Sequence, residues 1–107
     1  MDSNEFFKLL ENSENELTLT NETIDVGNNR ITSSLIRNSL NRIQFKNRTF
    51  INSNLVIDKI IKPSLTIGFY DCTFLSNILS FNDCNINSIK FICISVIIPF
   101  LWNIAYI

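Results

Sequence analysis

Between Ile67 and Ile86 the chain repeats itself within about twenty residues, and this repetition constrains the fold more than any other feature of the sequence. Ile67, Phe69, Asp71, Cys72 and Phe74 hold the places in the first half that Leu79, Phe81, Asp83, Cys84 and Ile86 hold in the second. Each copy has two apolar residues in strand alternation, a residue suited to a bend, a small residue and a further apolar one. One such unit cannot bury its apolar side alone, so it must stack on others like it. Leu17, Leu19, Asn21, Glu22 and Ile24 fit the same octet, as do Ile24, Val26, Asn28, Asn29 and Ile31, and Ile43, Phe45, Asn47, Arg48 and Phe50. The starts at Ile24, Ile43 and Ile67 are spaced as successive turns of a coil. Leu79 follows Ile67 too soon for a full turn and is expected on another face.

A finer rhythm runs beneath the octets. Leu35, Leu40, Phe45, Phe50, Leu55, Ile60 and Leu65 are apolar at every fifth position. After a one-residue slip near Gly68, Phe69, Phe74, Leu79, Cys84, Ile89 and Ile94 continue the series. Neither an α-helix nor a flat strand sustains a period of five, whereas a chain wound with one inward residue per side does.

On Ser53-Asn54-Leu55, Cys72-Thr73-Phe74 and Cys84-Asn85-Ile86, the segment from Ser33 to Ile94 resembles the pentapeptide-repeat proteins. The resemblance implies a right-handed β-helix with four-sided coils of about twenty residues. Arg48, Asp58 and Pro63 stand where that family places small inward residues, so a right-handed β-helix with longer, less regular coils remains the alternative. Either way the expected fold is mainly β: a short right-handed parallel β-helix, or solenoid, forming a single domain over 1–107. A helical cap is expected over 1–15, coils over 17–98 and an apolar cap over 99–107. The first cap rests on Asp2 and Glu5, spaced as a capping box, and on Phe6, Leu9 and Leu10, which share one helical face.

Chemistry is conspicuous for the groups it would need. The chain has no histidine, its three cysteines are not closely spaced, and Gly27 and Gly68 are too far apart for a phosphate loop. Asp71 and Asp83 are expected as corner residues rather than paired catalytic carboxylates, and Cys72, Cys84 and Cys93 as small core residues. No enzyme activity, metal or cofactor is therefore expected. An odd number of cysteines without a secretory leader reads as a reduced, cytoplasmic protein.

The net charge of −1 hides a segregation along the chain. Up to Asp25 the only base is Lys8, whereas Arg30, Arg37, Arg42, Lys46, Arg48, Lys59 and Lys62 follow with Asp58 as the single acid among them. That band is read either as a solvated face or as a contact surface for nucleic-acid phosphates or an acidic protein groove. From Phe91 onward the chain is uncharged, and Phe100, Leu101, Trp102, Ile104 and Tyr106 are expected to form a cap or a homodimer surface. A membrane anchor is the alternative for this tail, which Pro99 interrupts.

The functional expectation is a binding protein that presents a rigid face to a macromolecular partner, specifically an inhibitor of a nucleic-acid-processing enzyme or nucleoprotein. Some pentapeptide-repeat proteins act on DNA gyrase by mimicking duplex DNA, which the resemblance offers as one alternative. By size and scarcity of motifs the chain also looks like phage-encoded inhibitors of bacterial defence, anti-CRISPR proteins among them, which bind a nuclease or its guide RNA. A self-associating or membrane-attached solenoid, and a remnant of a longer β-helix, are the remaining readings.

Overall fold

The computed structural model describes residues 1–25, 27–51, 54–75, 78–97 and 101–106. In chain order, α1 (Ser3–Asn12) precedes β1 (Asn15–Thr20), β2 (Thr23–Ile24) and β3 (Asn28–Ile31), then a 3-10 turn (Ser33–Leu35). There follow β4 (Leu40–Lys46), β5 (Thr49–Ile51), β6 (Asn54–Asp58), β7 (Ile61–Tyr70), β8 (Thr73–Leu75), β9 (Ile78–Ile92), β10 (Ser95–Ile97) and β11 (Leu101–Tyr106). The protein is thus mainly β with one short α-helix, and every strand pairing described is parallel.

Two sheets form. One runs β1-β4-β7-β9-β6-β3 and curls, because the long β9 pairs with β6 through its first half and with β7 through its second. The other runs β2-β5-β8-β10. Partners along the curled sheet, such as Leu17, Ile43, Ile67 and Ile89, lie 26, 24 and 22 residues apart in sequence. Thr23, Thr49, Thr73 and Ser95 line up across the second sheet with the same steps. Paired segments are therefore further apart than the twenty-residue coils that the family resemblance implied.

The one-residue slip near Gly68 is part of this spacing rather than a break in it. Four steps of five and one of four carry the chain from Phe45 to Phe69, which are register partners. Leu40, Phe45, Phe50, Leu55, Ile60 and Leu65 are all buried, and so are Phe69, Phe74, Leu79 and Cys84. The octet frame needs one correction. Leu17, not Ile24, is the copy aligned with Ile43 and Ile67; Ile24 instead pairs with Phe50 in the second sheet.

The bends explain the amide and acid positions. Asn21, Asn47, Asp71 and Cys93 follow aligned strands and have φ of 56°, 51°, 54° and 55°, and Lys59 and Asp83 turn another corner at 54° and 50°. Asn and Asp accept this left-handed backbone at low cost, since their short polar side chains bond locally. The Asn47 amide donates to the Asn21 side-chain oxygen at 2.8 Å, linking two corners. Asp71 and Asp83 are exposed corner residues, as the sequence suggested.

Inside, aromatic rings from the two sheets interleave. Phe45, Phe69 and Phe91 stack at 5.0 and 5.1 Å, and beside them Phe50 stacks on Phe74 at 4.9 Å. Phe6 and Leu10 of α1 cover one end of this core. Asp2 caps the helix by accepting from the Glu5 backbone N–H at 3.0 Å. Leu9, expected on the same face, is 38% exposed. The cavity under the helix, lined by Phe6, Leu10, Ile36, Phe45, Ile57 and their neighbours, measures only about 10 Å³, at the lower limit for one water.

The cysteines divide. Cys72 and Cys84 are fully buried just after their corners, and their thiols donate to the carbonyls of Phe45 at 3.3 Å and Ile57 at 3.5 Å. Cys93, expected in the core, is exposed because it occupies the corner itself. Burial pushes the Cys72 thiol above its ordinary value, although backbone hydrogen bonds and the Arg48 charge act against the rise. Thiol labelling of the native protein at pH 8 should modify one cysteine rapidly, identified as Cys93 by peptide mass mapping. Rapid modification of Cys72 or Cys84 without denaturant would mean that the two corners open.

Residues 101–106, expected as a cap, form β11, which pairs with β9 along its otherwise open edge. A parallel edge offers unpaired N–H and C=O groups, which favours a further strand over an irregular plug. Phe100 lies outside the described residues, and of Leu101, Trp102, Ile104 and Tyr106 only the backbone is described. Among the described residues no helix is long and apolar enough to cross a membrane.

Candidate functional site

The basic band does not survive folding as a unit. Arg30 on β3 is paired with Asp58, which explains how Asp58 is accommodated while only 8% exposed. Arg37 donates to the Glu11 carbonyl at 2.7 Å and to the Glu14 carboxylate at 2.8 Å, tying the segment after the 3-10 turn to the end of α1. The Lys62 ammonium donates to the Asn38 carbonyl. Lys59 stands at a corner, exposed. Lys62 thus lies beside Arg37, and Lys59 follows the Asp58 that pairs with Arg30.

Arg48 is not a surface residue at all. It follows the Asn47 corner at the position that Cys72 takes in the aligned segment, and its side chain is 1% exposed. The guanidinium donates to the Thr20 carbonyl at 3.0 Å and to the Glu22 carboxylate at 3.3 Å, with the Met1 sulfur at 3.6 Å. Among the described residues its Nε has no partner. Burial at this corner removes Arg48 from any partner-binding face.

Arg42 and Lys46 remain, both on β4 and both facing outward opposite the buried Ile43 and Phe45. Strand alternation and parallel register define the rest of their face. Glu16, Arg42, Thr66 and Ser88 form one row; Thr18, Gln44, Gly68 and Lys90 the next; Thr20, Lys46, Tyr70 and Ile92 the third. Strands lie about 4.8 Å apart and residues rise about 3.3 Å, so Arg42, Lys46 and Lys90 stand roughly 12–13 Å from one another. Among the described residues none of these three cations makes an ion pair, and Glu16 and the corner residue Asp71 are the nearest acids by position.

Lys90 and Tyr70 were not among the residues singled out from sequence. Lys90 lies beyond the band, but the octet frame contains it: it follows Ile89 as Gln44 follows Ile43 and Gly68 follows Ile67. Tyr70 folds back along its own strand over Gly68. A Cβ on Gly68 would meet the Tyr70 ring at 2.4 Å, so glycine is needed for the ring to lie there. Gly68 is buried under that ring although it faces outward. At the other end of the face a polar groove of about 380 Å³ is lined by Asn15, Glu16, Asn41, Arg42, Ser64, Thr66 and Asn87. Its floor is fixed by hydrogen bonds from Ser64 to Asn41 at 2.8 Å and from Asn87 to Thr66 at 3.1 Å.

Among the described residues no group of three metal-ligating side chains converges. What the face offers is three outward cations around Tyr70, with a polar groove at one end and Glu16 and Asp71 at its margins. No protein-family model, curated protein or solved structure matches the chain.

Proposed function

We propose that the chain is a short right-handed β-helix that acts as a rigid binding module, directed at a nucleic-acid-processing enzyme or nucleoprotein through the outer face of β1, β4, β7 and the second half of β9. The winding follows from parallel strands whose partners recur at nearly constant separation, joined by crossovers that are right-handed in almost all proteins. The observation that carries the function is charge selection. Arg30, Arg37 and Arg48 are neutralised within the chain and Lys59 and Lys62 lie elsewhere, whereas Arg42, Lys46 and Lys90 share one face without ion-pair partners among the described residues. Such a patch attracts phosphates or an acidic groove and accelerates encounter with them. An interior filled by stacked phenylalanines favours recognition at the surface over enclosure of a small molecule. Mimicry of duplex DNA would require an acidic face here and is the weaker alternative.

The test is a pull-down from bacterial lysate with the wild type and with Arg42→Glu, Lys46→Glu and Lys90→Glu combined. These side chains are exposed, so the variant should keep the wild-type melting temperature within about 3 °C. A partner held by the wild type and lost from the variant is the expected result. Equal recovery by both would assign the three cations to solubility alone.

A further inference from the structure

The row of side chains around Tyr70 is more specific than a cationic patch. Tyr70 is half-buried and its ring reaches back over Gly68, which leaves room for it by having no side chain. Ile92, its neighbour in the row, is 50% exposed and extends the apolar surface. Lys46 flanks Tyr70 on the opposite side, Lys90 stands directly beside Gly68 and so diagonal to Tyr70, and the Gln44 amide lies next to Gly68 on its other side. From this row to the polar groove at Arg42 and Thr66 is about 13 Å, roughly two nucleotide steps.

From this arrangement we infer that the face binds single-stranded nucleic acid, with an unpaired base stacked on Tyr70 and its flanking phosphates held by Lys46, Lys90 and Arg42. A half-buried ring held over a glycine, with Lys46 and Lys90 beside it, suits an unstacked base, whose planar surface it can cover while the backbone stays in reach of the charges. A duplex presents its phosphates and hides its base faces, so it would use the cations and leave Tyr70 idle. A sulfated polysaccharide would do likewise. Gln44 is placed to hydrogen-bond the edge of a base lying over Gly68 and Tyr70. This inference rests on the binding-module reading of the same face and names its partner.

The test uses the full chain with four probes: twelve-residue oligothymidylate, twelve-residue oligouridylate, a twelve-base-pair DNA duplex and heparin. Fluorescence anisotropy should show both single strands binding more tightly than the duplex. Three phosphate contacts should weaken that binding roughly eighteenfold between 50 and 200 mM salt. Tyr70→Leu should reduce single-strand affinity about tenfold and leave heparin binding unchanged, while Tyr70→Phe should bind like the wild type. NMR on the unmutated protein provides a readout that does not depend on a variant folding: the Tyr70 ring protons should move upfield when oligothymidylate is added. Tighter binding of the duplex or heparin, an unshifted Tyr70 ring, or no single-strand binding at 50 mM salt would overturn the inference. Capture of an acidic protein from nuclease-treated lysate through Arg42, Lys46 and Lys90, with no oligonucleotide binding, would overturn it and leave the binding-module reading standing.

Discussion

Phe74→Ala should lower the unfolding free energy by about 3–5 kcal/mol, measured as a fall in the urea midpoint at unchanged slope. Phe74 is 1% exposed, stacks on Phe50 with the rings 9° from parallel, and touches Phe69 at 5.8 Å between ring centres. Its strand β8 is hydrogen-bonded on both sides, to β5 and β10, so the backbone cannot move inward to close the gap left by the ring. The loss therefore includes the cavity as well as the transfer of the ring from water. Phe91, only partly buried at the end of the neighbouring stack, should cost less when truncated. A Phe74→Ala midpoint within experimental error of the wild type would show that the stack does not stabilise the fold.

Arg48→Met should act in the opposite direction and raise stability by about 1–4 kcal/mol. The Arg48 guanidinium is desolvated, its Nε has no partner among the described residues, and the carboxylate that faces it, Glu22, is 60% exposed and therefore largely screened. Removing the charge does not strand a buried carboxylate, which is what makes breaking most buried ion pairs expensive. Methionine keeps much of the volume and flexibility of the stem, in a column where Cys72 already provides an apolar neighbour. Both variants leave the Thr20 carbonyl without its donor, but Arg48→Ala in addition opens a void where methionine keeps the stem packed, so it should destabilise the protein. A lower urea midpoint for Arg48→Met than for the wild type would show that the hydrogen bonds to Thr20 and Glu22 outweigh the desolvation.

Much of the architecture is legible because its demands fall on residue types. Corners require a left-handed backbone, and Asn21, Asn47, Asp71 and Asp83 advertise it. Stacking requires apolar residues in fixed places, and the five-residue rhythm records them, down to the slip that closes the interval from Phe45 to Phe69. The candidate face is less legible. Its members lie far apart in sequence, at Arg42, Lys46, Gly68, Tyr70 and Lys90, and only the register of parallel strands gathers them. The pair Gly68 and Tyr70 did carry a local signal, a residue without a side chain two positions before an aromatic on the same strand face. Arg48 carried none: an arginine after a corner asparagine reads as a solvated charge until its neighbours are known.

The sequence by itself determined a mainly β chain that repeats, bends at amide and acid corners, buries columns of phenylalanine and isoleucine, and begins with a short capped helix. Those properties follow from side-chain period and backbone preference, which are local. Only the tertiary structure decided the 22–26-residue spacing of partners, the burial of Arg48, the exposure of Cys93 and which cations share a face. Each of these depends on which residue of one strand lies beside which residue of the next. Register of that kind is set by the whole chain, since a shift of one residue would turn every outward side chain inward.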